Sequence, residues 1–147
     1  MKTPIKKLSV ICLTFLGFGL SELTGAENNP PKVTGTKFVM QNQEKGKELY
    51  VKLCSSCHQL TGAGIPGAFP PLAASDYLNK DVNRSIKTII TGLTGEVVVN
   101  GAKYNSAMPA QAALSDQDIA DVLTYVYASW GNNKKKVTPA MVKAQRK

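Results

Sequence analysis

The sequence predicts an all-α domain of about four helices with one short β-hairpin. Three observations carry that expectation. Ile119, Val122, Leu123 and Val126 recur at helical spacing behind a capping signal. Gly and Pro gather between such stretches, as in Thr61 to Pro71. Strand signal is confined to Glu96-Val97-Val98-Val99, followed by Asn100-Gly101, a strong two-residue hairpin turn.

In chain order, the first helix is expected from about Asn42 to Cys57, where Leu49 and Leu53 share a face and Tyr50 lies beside it. A short second helix covers about Leu72 to Leu78. The third starts at Asp81, an N-cap residue type, and carries Ile86, Ile89 and Ile90 until Gly92 stops it. The hairpin returns through Ala102 to Tyr104. Ser115 and Asp118 then form a capping box with Asp in place of the usual Glu or Gln, and the fourth helix runs on to Gly131. Lys134 to Lys147 reads either as a short amphipathic helix or as a frayed end.

The 147 residues suit a single domain. Ahead of it, Lys2, Lys6 and Lys7 precede a thirteen-residue apolar run, Leu8 to Leu20, and a small-residue site at Thr24-Gly25-Ala26. A bilayer span needs about 20 residues, so residues 1–26 read as a cleaved signal peptide; an uncleaved N-terminal membrane anchor is the alternative. A lipoprotein is disfavoured, because Cys12 lies inside the apolar run. Residues 27–38 follow as a polar linker, 39–131 as the domain, and 132–147 as a basic tail. The formal charge is +8; losing three Lys and one Glu with residues 1–26 leaves +6. An exported basic domain suits a partner with an acidic surface. Nucleic acid is disfavoured by that compartment and by the lack of aromatics interleaved with the basic residues.

Chemistry concentrates in Cys54-Ser55-Ser56-Cys57-His58, which contains the only histidine of the chain. C-x-x-C-H is the spacing of covalent c-type haem attachment. On one helical turn positions i and i+3 share a face, so two sulfurs can hold one porphyrin while the next residue directs its imidazole to the iron. Three other readings compete. A redox dithiol would use the cysteines alone but wants a βαβ context, which is missing. A structural disulfide suits an oxidising compartment. A zinc site needs four ligands, and once Cys12 leaves with the signal only Cys54, Cys57 and His58 remain.

With haem attached and iron ligated by His58, the sixth ligand decides the function. A methionine thioether closes the iron and raises its potential. Met40 is too near the attachment helix, and Met141 is in the tail. Met108 follows His58 by fifty residues, in Tyr104-Asn105-Ser106-Ala107-Met108-Pro109, where Pro109 favours extended backbone. Ordinary core packing is the bland alternative for Met108.

Residues 42–131 resemble a class I c-type cytochrome through Cys54 to His58, Met108-Pro109 and the first and last helices. The resemblance implies a small cytochrome c fold around one covalently bound haem. It also implies a close crossing of those helices, with Gly46 and Tyr50 against Val122 and Tyr125. "GIPGAFPPLAASDYL", "GLTGEVVVNGAKYNSAMP" and "LTYVYASWGN" are similar to small cytochromes that serve as domains or subunits beside nitrite reductases, alcohol dehydrogenases and terminal oxidases. That likeness implies that a carbonyl within Phe69-Pro70-Pro71 accepts the Nδ1–H of His58, and that Leu72 packs on the haem. It further implies contacts from Tyr104, Asn105 and Trp130, with Arg84 as the arginine available for a propionate.

The function so implied is single-electron transfer by Fe(III)/Fe(II) cycling, without an enzymatic active site. Docking would be transient, with Lys52, Lys80, Lys87 and Lys103 as candidate contacts to redox partners, including membrane-associated respiratory or denitrification enzymes. Two alternatives stand beside it. The domain could be the electron-entry subunit of a larger oxidoreductase. Met108 could be labile, leaving a haem that binds gas or peroxide, though no second histidine is present to act as distal acid or base.

Overall fold

The computed structural model describes residues 35–147, with side chains from Asn42 onward. The expected signal peptide and most of the expected linker lie outside the described residues. Six helices and one hairpin follow in the order α1 (Gly35–Leu53), α2 (Ser55–His58), α3 (Asp76–Lys80), α4 (Val82–Thr91), β1 (Val97–Val99), β2 (Ala102–Tyr104), α5 (Asp116–Ala128) and α6 (Pro139–Gln145). No helix among the described residues is long and apolar enough to cross a membrane.

The first expected helix is divided. α1 begins at Gly35, inside the expected linker, and ends at Leu53. Cys54 stays in the right-handed region but is distorted to φ −116°, ψ −33°, and the chain goes on through one turn as α2, closed by Cys57 and His58 amides on the Cys54 carbonyl at 3.2 and 2.9 Å. Ser55 contributes to the break by returning its hydroxyl to the Val51 carbonyl at 2.7 Å.

α3 starts four residues later than expected. Leu72 and Ala73 are held in a turn because both amides donate to the Gly62 carbonyl, at 2.7 and 2.9 Å. Ser75 then caps α3, accepting from Leu78 N at 3.2 Å. Asp81 caps α4 as expected, accepting from the amides of Asn83 and Arg84 at 2.9 and 3.1 Å. β1 and β2 pair antiparallel with Val97 opposite Tyr104 and Val99 opposite Ala102, and Asn100 and Gly101 take the positive φ of the turn, 51° and 79°. The tip is tied to α3 by reciprocal bonds, Asp76 N to Asn100 Oδ1 at 2.9 Å and Asn100 N to Asp76 Oδ1 at 2.8 Å.

The capping box of α5 is present in both directions. α5 ends at Ala128, short of Gly131, because Ser129 Oγ and Asn132 Nδ2 take the carbonyls of Tyr125 and Val126 at 2.7 and 3.0 Å. The tail runs without regular structure to Thr138 and then forms α6. Thr138 caps α6, Pro139 opens it, and Val137 and Val142 are buried in the core.

α1 crosses α5 at close range, and the crossing point is Gly46. A Cβ there would land on the Asp121 carbonyl and within 2.9 Å of Tyr125 Cβ. The partners of Gly46 are therefore Asp121 and Tyr125; Val122, expected at this contact, faces the cleft described below. Tyr50, one turn on, packs on Tyr125 and Trp130 with ring centroids 5.7 and 5.0 Å away. α5 is the core of the domain, with Ile119, Val122, Leu123, Val126 and Tyr127 all buried.

Candidate functional site

α2, α4, α5 and the loops around Pro70 and Met108 enclose an apolar cleft with an empty volume of about 750 Å³, part of it open to solvent. Cys54, His58, Pro70, Pro71, Leu72, Ile89, Met108, Val122, Leu123 and Val126 are among its walls. A second opening of about 600 Å³ shares Cys54, His58, Ile89, Met108 and Val122 and adds Cys57. Six of the residues singled out in the sequence, Cys54, Cys57, His58, Pro71, Leu72 and Met108, therefore line these two adjoining openings, and Cys54, His58 and Met108 line both.

His58 is 9% exposed, and its Nδ1 lies 2.9 Å from the Pro70 carbonyl. A carbonyl only accepts, so Nδ1 carries the proton and Nε2 keeps its lone pair for the cleft. Burial lowers the His58 pKa below the ordinary imidazole value, against the opposing pull of the Pro70 bond, so the ring is the neutral form a metal requires. The carbonyl bond also orients the ring and raises its basicity as a ligand. The Pro70 loop is itself pinned: Ile65 and Phe69 exchange backbone bonds at 2.8 Å in each direction, and Gly64 N donates to the His58 carbonyl at 3.0 Å.

Both cysteines are free thiols. Burial, with the neighbouring Cys57 second, pushes the Cys54 thiol up to about 11. A redox dithiol works by the opposite shift, a depressed pKa that supplies thiolate. Among the described residues no group of three or more His, Cys, Asp or Glu is arranged to hold a metal ion.

Met108 is fixed from α4. Leu93 and Met108 form an antiparallel bridge, amide to carbonyl at 3.0 and 2.9 Å, and Gln111 N donates to the Ile89 carbonyl at 2.8 Å. Gly92 makes the approach possible: at φ +75°, a Cβ there would stand 2.6 Å from the Met108 carbonyl oxygen and 2.9 Å from Ala110 N. Met141, the other late methionine, packs against the hydrophobic core.

Tyr104, Asn105 and Trp130 are not among the cleft walls. Tyr104 is buried in the hairpin register opposite Val97, and Asn105 is exposed. Trp130 lies over Gly62, whose carbonyl holds the Leu72 turn, and packs edge-on to Tyr125 at 5.6 Å. Arg84 also stands off the cleft: its guanidinium sits 3.7 Å over the ring of Tyr77, which lines the cleft, and donates to the Tyr77 carbonyl. Arg84 Nε is buried without a partner.

Two contributors escaped sequence reasoning. Gly92 reads in sequence only as a helix stop. Asn132 is buried and links four groups, donating to the Leu72 and Val126 carbonyls at 2.8 and 3.0 Å and accepting from Ser75 N and Asn79 Nδ2 at 3.3 and 3.0 Å. Nothing in the local pattern distinguishes it from a loop asparagine.

The chain is similar to cytochrome c-552 of Thermus thermophilus, at 39% identity over 71% of this chain and 96% of that protein. It is also similar to the cytochrome c subunit of the quinone alcohol dehydrogenase of Gluconobacter oxydans, at 35% identity over 60% of this chain but 19% of that subunit. The cytochrome c subunit of gluconate 2-dehydrogenase from Pantoea cypripedii matches at 36% identity over 67% of this chain and 23% of its own length. The family model for Cytochrome c matches residues 43–130, the span from the start of the α1–α5 crossing to Trp130, and the chain belongs to the cytochrome c family.

Proposed function

We propose that this cytochrome c is an exported monohaem electron carrier in which Cys54 and Cys57 hold the porphyrin and His58 and Met108 ligate its iron. The observation that carries the reading is a pair of adjoining apolar openings, sharing Cys54, His58 and Met108, around which both thiols, a tautomer-fixed imidazole and a backbone-pinned methionine are gathered. These residues fit haem c by the chemistry of their donors: two sulfurs at C-x-x-C spacing, an imidazole with Nε2 free, and a thioether. Arg84 Nε, buried and unpartnered beside the Tyr77 rim, suits a carboxylate such as a haem propionate.

Haem c supplies a one-electron Fe(III)/Fe(II) couple. The protein's part is to keep the iron closed and the site dry. The Pro70 carbonyl holds the His58 ring in one orientation, and the Leu93–Met108 bridge holds the thioether in reach. Ile89, Val122, Leu123 and Val126 exclude water. Held by His58 and Met108 in both oxidation states, the iron would need little reorganisation on transfer.

Export is supported by the pattern of residues 2–26, and acidic partner surfaces by the basic balance of the chain. Of the lysines considered for docking, Lys103 is paired with Glu96 at 3.0 Å, while Lys52, Lys80 and Lys87 are exposed. The match to nearly the whole length of cytochrome c-552 favours a separate carrier. The dehydrogenase subunits, of which the chain spans about a fifth, keep open the second reading of an electron-entry subunit. The test is the mass of the exported, denatured protein. It is expected to exceed the polypeptide mass by one haem, and Cys54→Ser with Cys57→Ser is expected to abolish the increment. A haem-free product with intact thiols would return the motif to thiol chemistry.

A further inference from the structure

The family match ends at Trp130, yet the chain continues for another seventeen residues, and their last turn reaches back to the methionine loop. We propose that this C-terminal segment is a strap on the Met108 loop and that Arg146 is a positioning residue for Met108. The proposal rests on the reading of Met108 as the second axial ligand.

The segment is anchored before it reaches the loop. Val137 donates its amide to Thr124 Oγ1 at 3.1 Å and accepts from the same hydroxyl at 3.3 Å. Val142 is completely buried against the core. α6 thereby delivers Arg146 to residues 112–116, the link between the Met108 loop and α5. All three guanidinium nitrogens are used there. Nη1 donates to the Ala112 carbonyl at 3.1 Å, Nη2 donates to the Leu114 carbonyl, and Nε donates to Asp116 Oδ1 at 2.6 Å. The side chains of Arg146 and Asp116 are only 28% and 30% exposed.

The loop from Met108 to Leu114 is therefore held on two sides. Backbone bonds from Leu93 and Ile89 fix it to α4, and the Arg146 fork fixes its far end to α6. Any excursion that frees Met108 by lifting residues 109–114 must also break the fork. Arg146 thus lowers the population of the state in which Met108 is displaced, without touching the cleft. A lysine cannot substitute fully, because one ammonium does not reproduce a planar fork directed at three acceptors.

The test uses the haem-loaded protein and three variants: Arg146→Ala, Arg146→Lys and Gly95→Ala. Two readouts separate positioning from general stability. One is the affinity of ferric protein for added imidazole, which must displace Met108. The other is hydrogen exchange of the Ala110–Leu114 amides. Loss of charge-assisted bonds at a partly exposed site predicts a roughly 3- to 10-fold gain in imidazole affinity for Arg146→Ala, and a similar gain in exchange. Arg146→Lys is expected to fall between that variant and the wild type. Gly95→Ala, a strained loop position outside the strap whose Cβ would meet nothing within 4 Å, is expected to lower the melting temperature while leaving imidazole affinity nearly unchanged. Imidazole affinity of Arg146→Ala equal to wild type, or matched by Gly95→Ala, would overturn the strap. The methionine-to-iron charge-transfer band of ferric wild type is read first. Its absence would overturn the ligand reading itself; its presence with an unaltered Arg146→Ala variant would overturn the strap alone.

Discussion

Gly92→Ala should push Met108 out of place, and Gly95→Ala supplies the control that isolates the push. Both glycines hold positive φ, at +75° and +92°. A Cβ at Gly95 meets nothing within 4 Å, so that substitution carries backbone strain alone, about 1–2 kcal/mol. At Gly92 the backbone (φ 75°, ψ −176°) lies in a region that is essentially glycine-only, worth roughly 1–3 kcal/mol of strain. A Cβ there also stands 2.6 Å from the Met108 carbonyl oxygen, 2.9 Å from Ala110 N and 3.3 Å from Pro109 C. These are backbone atoms and cannot rotate aside. Overpacking of this kind adds about 1–3 kcal/mol unless the neighbour moves, and the neighbour is the ligand loop. The total is still below the roughly 5–15 kcal/mol stability of a typical domain, so a folded variant can be examined. The assay is thermal unfolding together with the ferric methionine-to-iron band. Gly95→Ala is expected to melt lower and keep the band, and Gly92→Ala to melt lower still and lose most of it. A Gly92→Ala protein with the full band and the melting temperature of Gly95→Ala would refute the claim that Gly92 sets the position of Met108.

Three further outcomes are expected. Gly46→Ala gains about 1 kcal/mol of helix propensity but forces its methyl into the Asp121 carbonyl, a clash worth roughly 1–3 kcal/mol; a melting temperature above wild type would mean that the α1–α5 crossing yields easily. Burial raises the Asp121 pKa above its usual 3.8 despite the Gln117 bond, so the folded state binds the proton more tightly, and stability is lost as pH rises from 3.8 through the folded pKa. Asp121→Asn should therefore melt higher than wild type at neutral pH and lose the advantage at low pH, and urea titrations at several pH values check the sign. Arg84→Gln removes a positive charge near the proposed propionates and should lower the reduction potential, which a spectroelectrochemical titration reads; an unchanged potential would set Arg84 outside the haem's field.

Legibility in the sequence followed locality. α4, the hairpin and α5 announce themselves through Asp81, Asn100-Gly101 and the Ser115–Asp118 box, each a signal completed within a few residues. The break at Cys54 was hidden, because Leu49 and Leu53 keep helical period up to it. α3 was misjudged by several residues because its start depends on Gly62, ten or more residues away. In the tail, a run of three lysines masks Val137 and Val142, and only the assembled fold makes a buried face of them. The same division runs through the site. Cys54, Cys57 and His58 are one contiguous motif, and Met108 could be singled out by its loop and Pro109. The packing of Tyr104 opposite Val97 and of Trp130 on Tyr50 and Tyr125 carries no local sign, and the close-approach role of Gly92 exists only against a chain segment sixteen residues on.

The central claim is an iron closed on both axial sides, by His58 and Met108. Its most direct test is the absorption spectrum of the reduced protein with and without carbon monoxide. The account predicts sharp low-spin bands that carbon monoxide leaves unchanged in the wild type and shifts in Met108→Ala. A wild-type spectrum that carbon monoxide shifts at once would contradict it, and would make the protein a ligand-binding haem.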